Sequence, residues 1–87
     1  MSEGFAWTDL GARCSSGKAE GDARAEIWPS GDWLGSAGRG RLVVKVAVPG
    51  VPSSYSQADD MASAQRRAGE LLAEARAELR ARARASR

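Results

Sequence analysis

The sequence predicts an α+β fold in which an antiparallel, three-stranded β-meander packs against one long C-terminal helix. Apolar residues alternate with polar ones along parts of the first half, which is the pattern of half-buried strands. From Ser56 onwards they recur at spacings of three and four, which is the pattern of an amphipathic helix. A chain of 87 residues can bury one modest core, so we interpret residues 1–87 as a single domain.

The meander is predicted to occupy residues 5–48. Its clearest strand is 41–48, "RLVVKVAV", in which alternate residues are apolar and two basic residues mark the solvent face. A second strand is predicted at 23–28, and a first strand from Phe5 to Arg13 alternates more loosely. Between these two, "CSSGK" at 14–18 has the small and polar composition of a hairpin turn.

Two segments rich in turn-forming residues separate the remaining elements. Residues 29–40 are rich in glycine and are predicted to be a loop. Residues 49–55 begin with Pro-Gly-Val-Pro and are predicted to be a linker. The long amphipathic helix is then predicted over 56–85, with Ser56 as its N-cap and Asp59 closing a capping box. Its apolar stripe comprises Met61, Ala64, Ala68, Leu71, Leu72, Ala75 and Leu79.

The predicted helix carries two rows of like charge on opposite flanks. We call them the basic row (Arg76, Arg80, Arg84 and Arg87) and the acidic row (Glu70, Glu74 and Glu78). One interpretation is that both rows face outward to bind a partner. The other is local compensation, through pairs such as Arg66 with Glu70 and Glu78 with Arg82, together with arginines that favour the helix C-terminus.

The length of the helix has a consequence for the arginines near its end. From residue 57 to 85 it would span about 43 Å, whereas a strand of eight residues covers only about 27 Å. The end of the helix is therefore expected to extend beyond the sheet. Residues 80–87 contain four arginines and no acidic residue, while the first 79 residues carry 9 basic and 11 acidic side chains. The basic end would then dock on a partner or fray in solvent.

The composition argues against catalysis. Histidine, the most frequent general base, is absent, and the single cysteine, Cys14, has no imidazole to activate it. Neither a zinc site nor an internal disulfide is expected, and no cofactor is predicted. No apolar run approaches the roughly 20 residues of a membrane helix. We therefore expect a non-enzymatic protein in the bacterial cytoplasm.

Recognition of a protein partner accounts for more of the unusual residues. Three tryptophans among 87 residues is a high number, and tryptophan and arginine dominate binding hot spots. Trp28 lies on the outward face by alternation, whereas Trp33 lies in the glycine-rich loop, where Trp33 and Leu34 could instead fold back over the core. The predicted partner-binding residues are Trp28, Trp33, Leu34, Arg39, Arg41, Glu70, Glu74 and Glu78.

Nucleic-acid binding is the alternative function. The four arginines of the basic row could neutralise about four phosphates and give weak, salt-sensitive affinity without sequence preference. The same row could equally meet an acidic protein surface. The partner is therefore expected to be a larger protein complex, with nucleic acid as the secondary expectation and a homodimer as a further one.

Two known families share part of this pattern. The segment 46–79, "VAVPGVPSSYSQADDMASAQRRAGELLAEARAEL", resembles the strand, Pro-Gly turn and helix of HicB-type antitoxins. That resemblance implies binding of a partner toxin and often of DNA. The order of three strands followed by an alanine-rich helix is also similar to part of a double-stranded-RNA-binding domain.

A third resemblance is one of size and composition. A small single domain without catalytic residues is similar to phage-encoded inhibitors of bacterial defence, such as anti-CRISPR proteins. Together with the exposed tryptophans and the acidic and basic flanks of the helix, this resemblance predicts a protein-binding module. Such a module would inhibit or regulate a larger bacterial nucleic-acid-processing complex.

Overall fold

The computed structural model describes residues 4–11, 13–30 and 41–85. They form one antiparallel sheet of five strands, which lie side by side in the order in which they occur along the chain, and one C-terminal helix packed against it. The α+β class and the single long C-terminal helix are therefore as predicted. The strands are β1 Ala6–Gly11, β2 Cys14–Ala19, β3 Ala23–Pro29, β4 Leu42–Ala47 and β5 Ser54–Ala58, and the helix is α1 Met61–Ala85.

The predicted number of three strands is wrong, because the segment 14–18 is a strand and not a turn. In β2, Ser16 pairs with Thr8 of β1 on one side and with Glu26 of β3 on the other. The turns lie to either side of this strand, where Gly11 and Gly21 have φ angles of 80° and 78°. Small polar residues suit β2 because its neighbours on both sides supply the hydrogen bonds that hold it in the sheet.

The second missed strand, β5, moves the start of the helix. Residues 54–58 pair with β4, so the predicted linker at 49–55 is shorter and Ser56 lies within a strand. The helix begins at Met61, and Asp60 is its N-cap. The Asp60 carboxylate accepts a hydrogen bond of 2.7 Å from the Ser63 amide, and its carbonyl accepts the first helical bond from Ala64.

The core lies between the inner face of the sheet and the helix. The helix packs mainly on β4, and also on β5 and β3. The predicted stripe is confirmed, because five of its residues are buried and Met61 and Leu79 pack at its ends. The buried apolar residues are Ala23, Ala25, Ile27, Leu42, Val44, Val46, Val48, Ala64, Ala68, Leu71, Leu72 and Ala75.

Two aromatic rings cover the inner face of the β1–β2 hairpin. Phe5 and Trp7 pack against the core with their ring centroids 5.4 Å apart. They lie directly over Gly17, where an added Cβ would be 2.9 Å from Phe5 Cβ and 3.0 Å from the Trp7 ring. Gly17 is therefore the residue that lets the two rings approach the hairpin this closely.

We predict opposite effects for two glycine-to-alanine substitutions. Gly17→Ala pushes the two rings away and should lower the free energy of unfolding by about 1–3 kcal/mol. Gly69→Ala lies in the helix, where the added Cβ meets no atom within 4 Å, and should raise stability by up to about 1 kcal/mol. Urea unfolding followed by circular dichroism measures both. Equal effects of the same sign would contradict the described packing of the hairpin.

A second prediction concerns the helix cap. Hydrogen bonds from the backbone amide and then the side chain of Ser63 lower the pKa of Asp60. A lowered folded-state pKa stabilises the fold above the ordinary aspartate value of about 3.9, and this stabilisation is lost as the pH falls through the folded-state pKa. Asp60→Ala should therefore lower the melting temperature at pH 7, and the deficit should shrink in acid.

The adjacent Asp59→Ala is the matched control for this prediction. Asp59→Ala removes the same charge next to the helix start, but the Asp59 carboxylate lies in a 3.8 Å ion pair with the exposed Arg41. Exposed pairs of this kind contribute little. A deficit of Asp60→Ala that does not shrink as the pH falls below the ordinary aspartate pKa of about 3.9 would show that the carboxylate does not cap the helix.

Candidate functional site

The acidic row is paired with arginines of the same helix. Arg67 Nη1 lies 2.8 Å from Glu70 Oε1 and 3.8 Å from Glu74 Oε2. Arg82 Nη2 lies 2.6 Å from Glu78 Oε2. Local compensation is thus present, although Glu70 pairs with Arg67 and not with the predicted Arg66. The acidic row presents ion pairs to solvent, and its predicted contact with a partner stays a prediction.

The two arginines that neutralise this row also join the helix to the sheet. Arg67 Nε donates a 3.1 Å hydrogen bond to Ser56 Oγ of β5. Arg82 Nη1 donates a 2.8 Å hydrogen bond to the Gly50 carbonyl, in the turn after β4. Arg67 and Arg82 are therefore occupied by contacts within the fold.

The basic row is in a different environment. Arg76 is half-buried, and its Nη2 lies 3.4 Å from the Glu20 carbonyl, to which it donates. Arg80 and Arg84 are exposed, and among residues 4–11, 13–30 and 41–85 no carboxylate lies within 4.0 Å of either guanidinium. Arg87 lies outside the described residues. The basic row thus presents two exposed cationic side chains that have no carboxylate within 4.0 Å in the described part of the chain.

These two side chains project from the part of the helix that extends past the core. Ala75 is the last buried residue of the helix, Leu79 is half-buried, and every residue from 80 to 85 is exposed. Leu79 packs closely on the turn after β4, where a Cβ at Gly50 would lie 2.9 Å from its Cδ2. The predicted extension of the helix beyond the sheet is confirmed.

A groove lies beside the basic row, between the helix and the β1–β2 hairpin. We call it the hairpin groove, and its volume is about 610 Å³. Its lining residues are Gly4, Glu20, Gly69, Ala73, Arg76 and Arg80. Sequence reasoning missed this groove, because nothing in the spacing of the residues shows that Gly4 and Glu20 lie opposite the basic row.

The remaining predicted partner-binding residues are Trp28, Trp33, Leu34, Arg39 and Arg41. Trp28 lies on the outer face but is half-buried, so the expectation of an exposed Trp28 is not met. Trp33, Leu34 and Arg39 lie outside the described residues. Arg41 is exposed, with its Nε 3.8 Å from Asp59 Oδ1 and its Nη1 3.4 Å from Gln57 Oε1.

Two large exposed residues were not predicted. Leu10, near the tip of the β1–β2 hairpin, and Tyr55 of β5 are each 62% exposed. The Tyr55 ring lies 6.0 Å from Lys45 Nζ, at the outer limit of a cation–π contact. Recognition of β5 from the alternation of 54–58 would have placed Tyr55 on the outer face.

The chemistry available in the described part of the chain is limited. Residues 4–11, 13–30 and 41–85 contain no group of three histidine, cysteine, aspartate or glutamate side chains placed to hold a metal ion. Cys14 is half-buried and is not part of a disulfide. Over the same residues, no helix combines the length and the apolar character needed to cross a membrane.

Comparison with protein-family models, curated proteins and solved structures finds no match to this chain. The resemblances to HicB-type antitoxins, double-stranded-RNA-binding domains and anti-CRISPR proteins therefore remain predictions. One expected detail is wrong, since β5 lies between the Pro-Gly turn and the helix. The segment 46–79 is thus a strand, a turn, a second strand and a helix.

Proposed function

We propose that the protein is a non-enzymatic protein-binding module that attaches to a larger bacterial nucleic-acid-processing complex and inhibits or regulates it. The observation that carries this proposal is the contrast between the two rows. The acidic row is paired within the helix, whereas Arg80 and Arg84 are exposed and have no carboxylate partner in the described part of the chain. The basic row is then the docking surface.

Arginines placed in this way suit protein recognition. A guanidinium binds a carboxylate through two parallel hydrogen bonds, and arginine is enriched in interface hot spots. Arg80 and Arg84 are four residues apart, so about 6 Å separates their positions along the helix axis. Because the helix holds that spacing before a partner arrives, binding loses less conformational entropy than it would from a flexible tail.

The basic row is a poor surface for a symmetric homodimer. A two-fold axis brings the same patch of both copies together. The basic rows of both copies would then lie in one interface, and the acidic row that could neutralise them already pairs with Arg67 and Arg82. This surface therefore favours a different, acidic partner.

Charge reversal tests the proposal. The double variant Arg80→Glu/Arg84→Glu should lower recovery of the partner complex at least about tenfold, since desolvated ion pairs become like-charge contacts. The measurement is co-purification with the tagged protein from a nuclease-treated bacterial lysate, followed by an activity assay of the captured complex.

The matched control for charge is Lys18→Glu/Arg24→Glu. These two residues are exposed, face each other across β2 and β3, and lie on the outer face of the sheet. The control variant should still bind the partner complex and still inhibit it. A lone monomer without a protein partner, or equal loss in both double variants, would contradict the proposed function.

The second candidate function is nucleic-acid binding through the same row. It is favoured by the exposure of Arg80 and Arg84, neither of which has a described carboxylate within 4.0 Å. A mobility-shift assay at low salt should then show binding with a log–log salt slope of about −3 to −4. Replacing Arg76, Arg80, Arg84 and Arg87 by glutamine should abolish the shift. The absence of a shift for the parent protein would end this candidate.

A further inference from the structure

The hairpin groove is lined by residues of the helix and of the hairpin. Gly69 and Ala73 lie on the helix side, with Arg76 and Arg80 further along the helix. Gly4, just before β1, and Glu20, just after β2, line the groove from the hairpin side. The volume of about 610 Å³ is in the range of sites that hold a small ligand or a short stretch of peptide.

Gly69 lowers the stability of the helix, and a glycine at this position is useful only where another chain must approach the helix backbone. Glycine in a helix interior is less favourable than alanine by about 1 kcal/mol. No packing within the described chain requires it, because a Cβ added at Gly69 meets no atom within 4 Å. Gly69 and Ala73 leave the backbone of the helix open to an incoming segment along the groove.

The charges at the groove select an anionic occupant. Arg76 is held over the groove by its hydrogen bond to the Glu20 carbonyl, and Arg80 is exposed beside it. The two arginines are one helical turn apart, about 6 Å along the axis. In an extended peptide, alternate side chains lie about 6.7 Å apart on the same side. Carboxylates at alternate positions of such a peptide therefore match the two guanidinium groups.

The negative charge of Glu20 argues against nucleic acid in the groove. Glu20 is exposed and lines the groove next to Arg76, which donates to its carbonyl. A nucleic acid carries a phosphate at every nucleotide, so a strand filling the groove would place negative charge against Glu20. A peptide carries negative charge only at its acidic residues. The neutral residues between them can therefore lie against Glu20.

We therefore infer that the hairpin groove binds an extended acidic segment of the partner protein, with carboxylates on Arg76 and Arg80 and uncharged residues against Gly69 and Ala73. This inference rests on the proposed function and names the partner's chemistry. A second copy of the chain does not meet the requirement, because its acidic row is already paired and lies on a helix.

The test is an NMR titration of the ¹⁵N-labelled full chain with a capped hexapeptide of alternating glutamate and valine. We expect saturable shifts at the amides of Gly4, Gly69 and Ala73. Ala73→Leu fills the groove and should weaken binding at least about tenfold. Ala77→Leu, also at an exposed helix position but outside the groove lining, should stay within about twofold of the parent.

Three results would overturn the inference. They are a glutamine–valine hexapeptide that binds as well, Ala73→Leu binding like the parent, and absence of binding up to about 5 mM peptide. A short oligothymidylate that produces the same shifts more tightly would assign the groove to nucleic acid instead.

Co-purification of the same variants separates this inference from the proposed function. If Ala73→Leu retains the partner complex while Arg80→Glu/Arg84→Glu loses it, the groove is not the binding site but the protein-binding function stands. If neither variant loses the complex, neither the groove nor the basic row is the docking surface.

Discussion

The structure depends on the packing of the apolar stripe of the helix on the inner face of the sheet. Ala64, Ala68 and Ala75 of α1 are buried together with the large side chains of Leu72, Leu42 and Val44, which fill the space between the two layers. Packing of this kind fixes the rotation of the helix about its axis, because turning it would expose this face and bury charge. The rotation in turn places the acidic row towards β5 and the basic row towards the hairpin.

That rotation explains why arginines on one helix have different roles. Arg67 and Arg82 reach polar atoms of the β5 strand and of the turn after β4, and they also neutralise the acidic row. Arg80, only two residues before Arg82, lines the hairpin groove, and no described carboxylate lies within 4.0 Å of its guanidinium. The same residue type therefore joins the layers at one position and is available to a partner at another. Sequence separation alone does not distinguish the two cases.

The parts that could be predicted from the sequence are those set by strong periodicity. The strand at Leu42–Ala47 and the stripe of the helix bury many apolar residues, so their patterns are clear. The strands β2 and β5 are built from serine, glycine and other small or polar residues, and their stability comes from pairing with neighbours. Serine and aspartate are both favoured at the N-cap, so the residue type does not show whether the helix begins after Ser56 or after Asp60. The pairing of β5 with β4 places Ser56 in a strand and leaves Asp60 as the N-cap. The hairpin groove is formed by residues that are far apart in the sequence, so no local sequence pattern predicts it.

The availability of the basic row also depends on what holds the end of the helix. Beyond Ala75 the sheet no longer covers the helix, and an uncovered helix end normally frays. Here Leu79 packs on the Gly50 turn and Arg82 donates to the Gly50 carbonyl, so the turn after β4 supports the helix past the last core residue. Gly50 itself adopts a φ of 96°, which few other residues tolerate, and its lack of a side chain admits Leu79. A single turn of the sheet thus keeps Arg80 on a regular helix, which is the condition for a fixed spacing between Arg76 and Arg80.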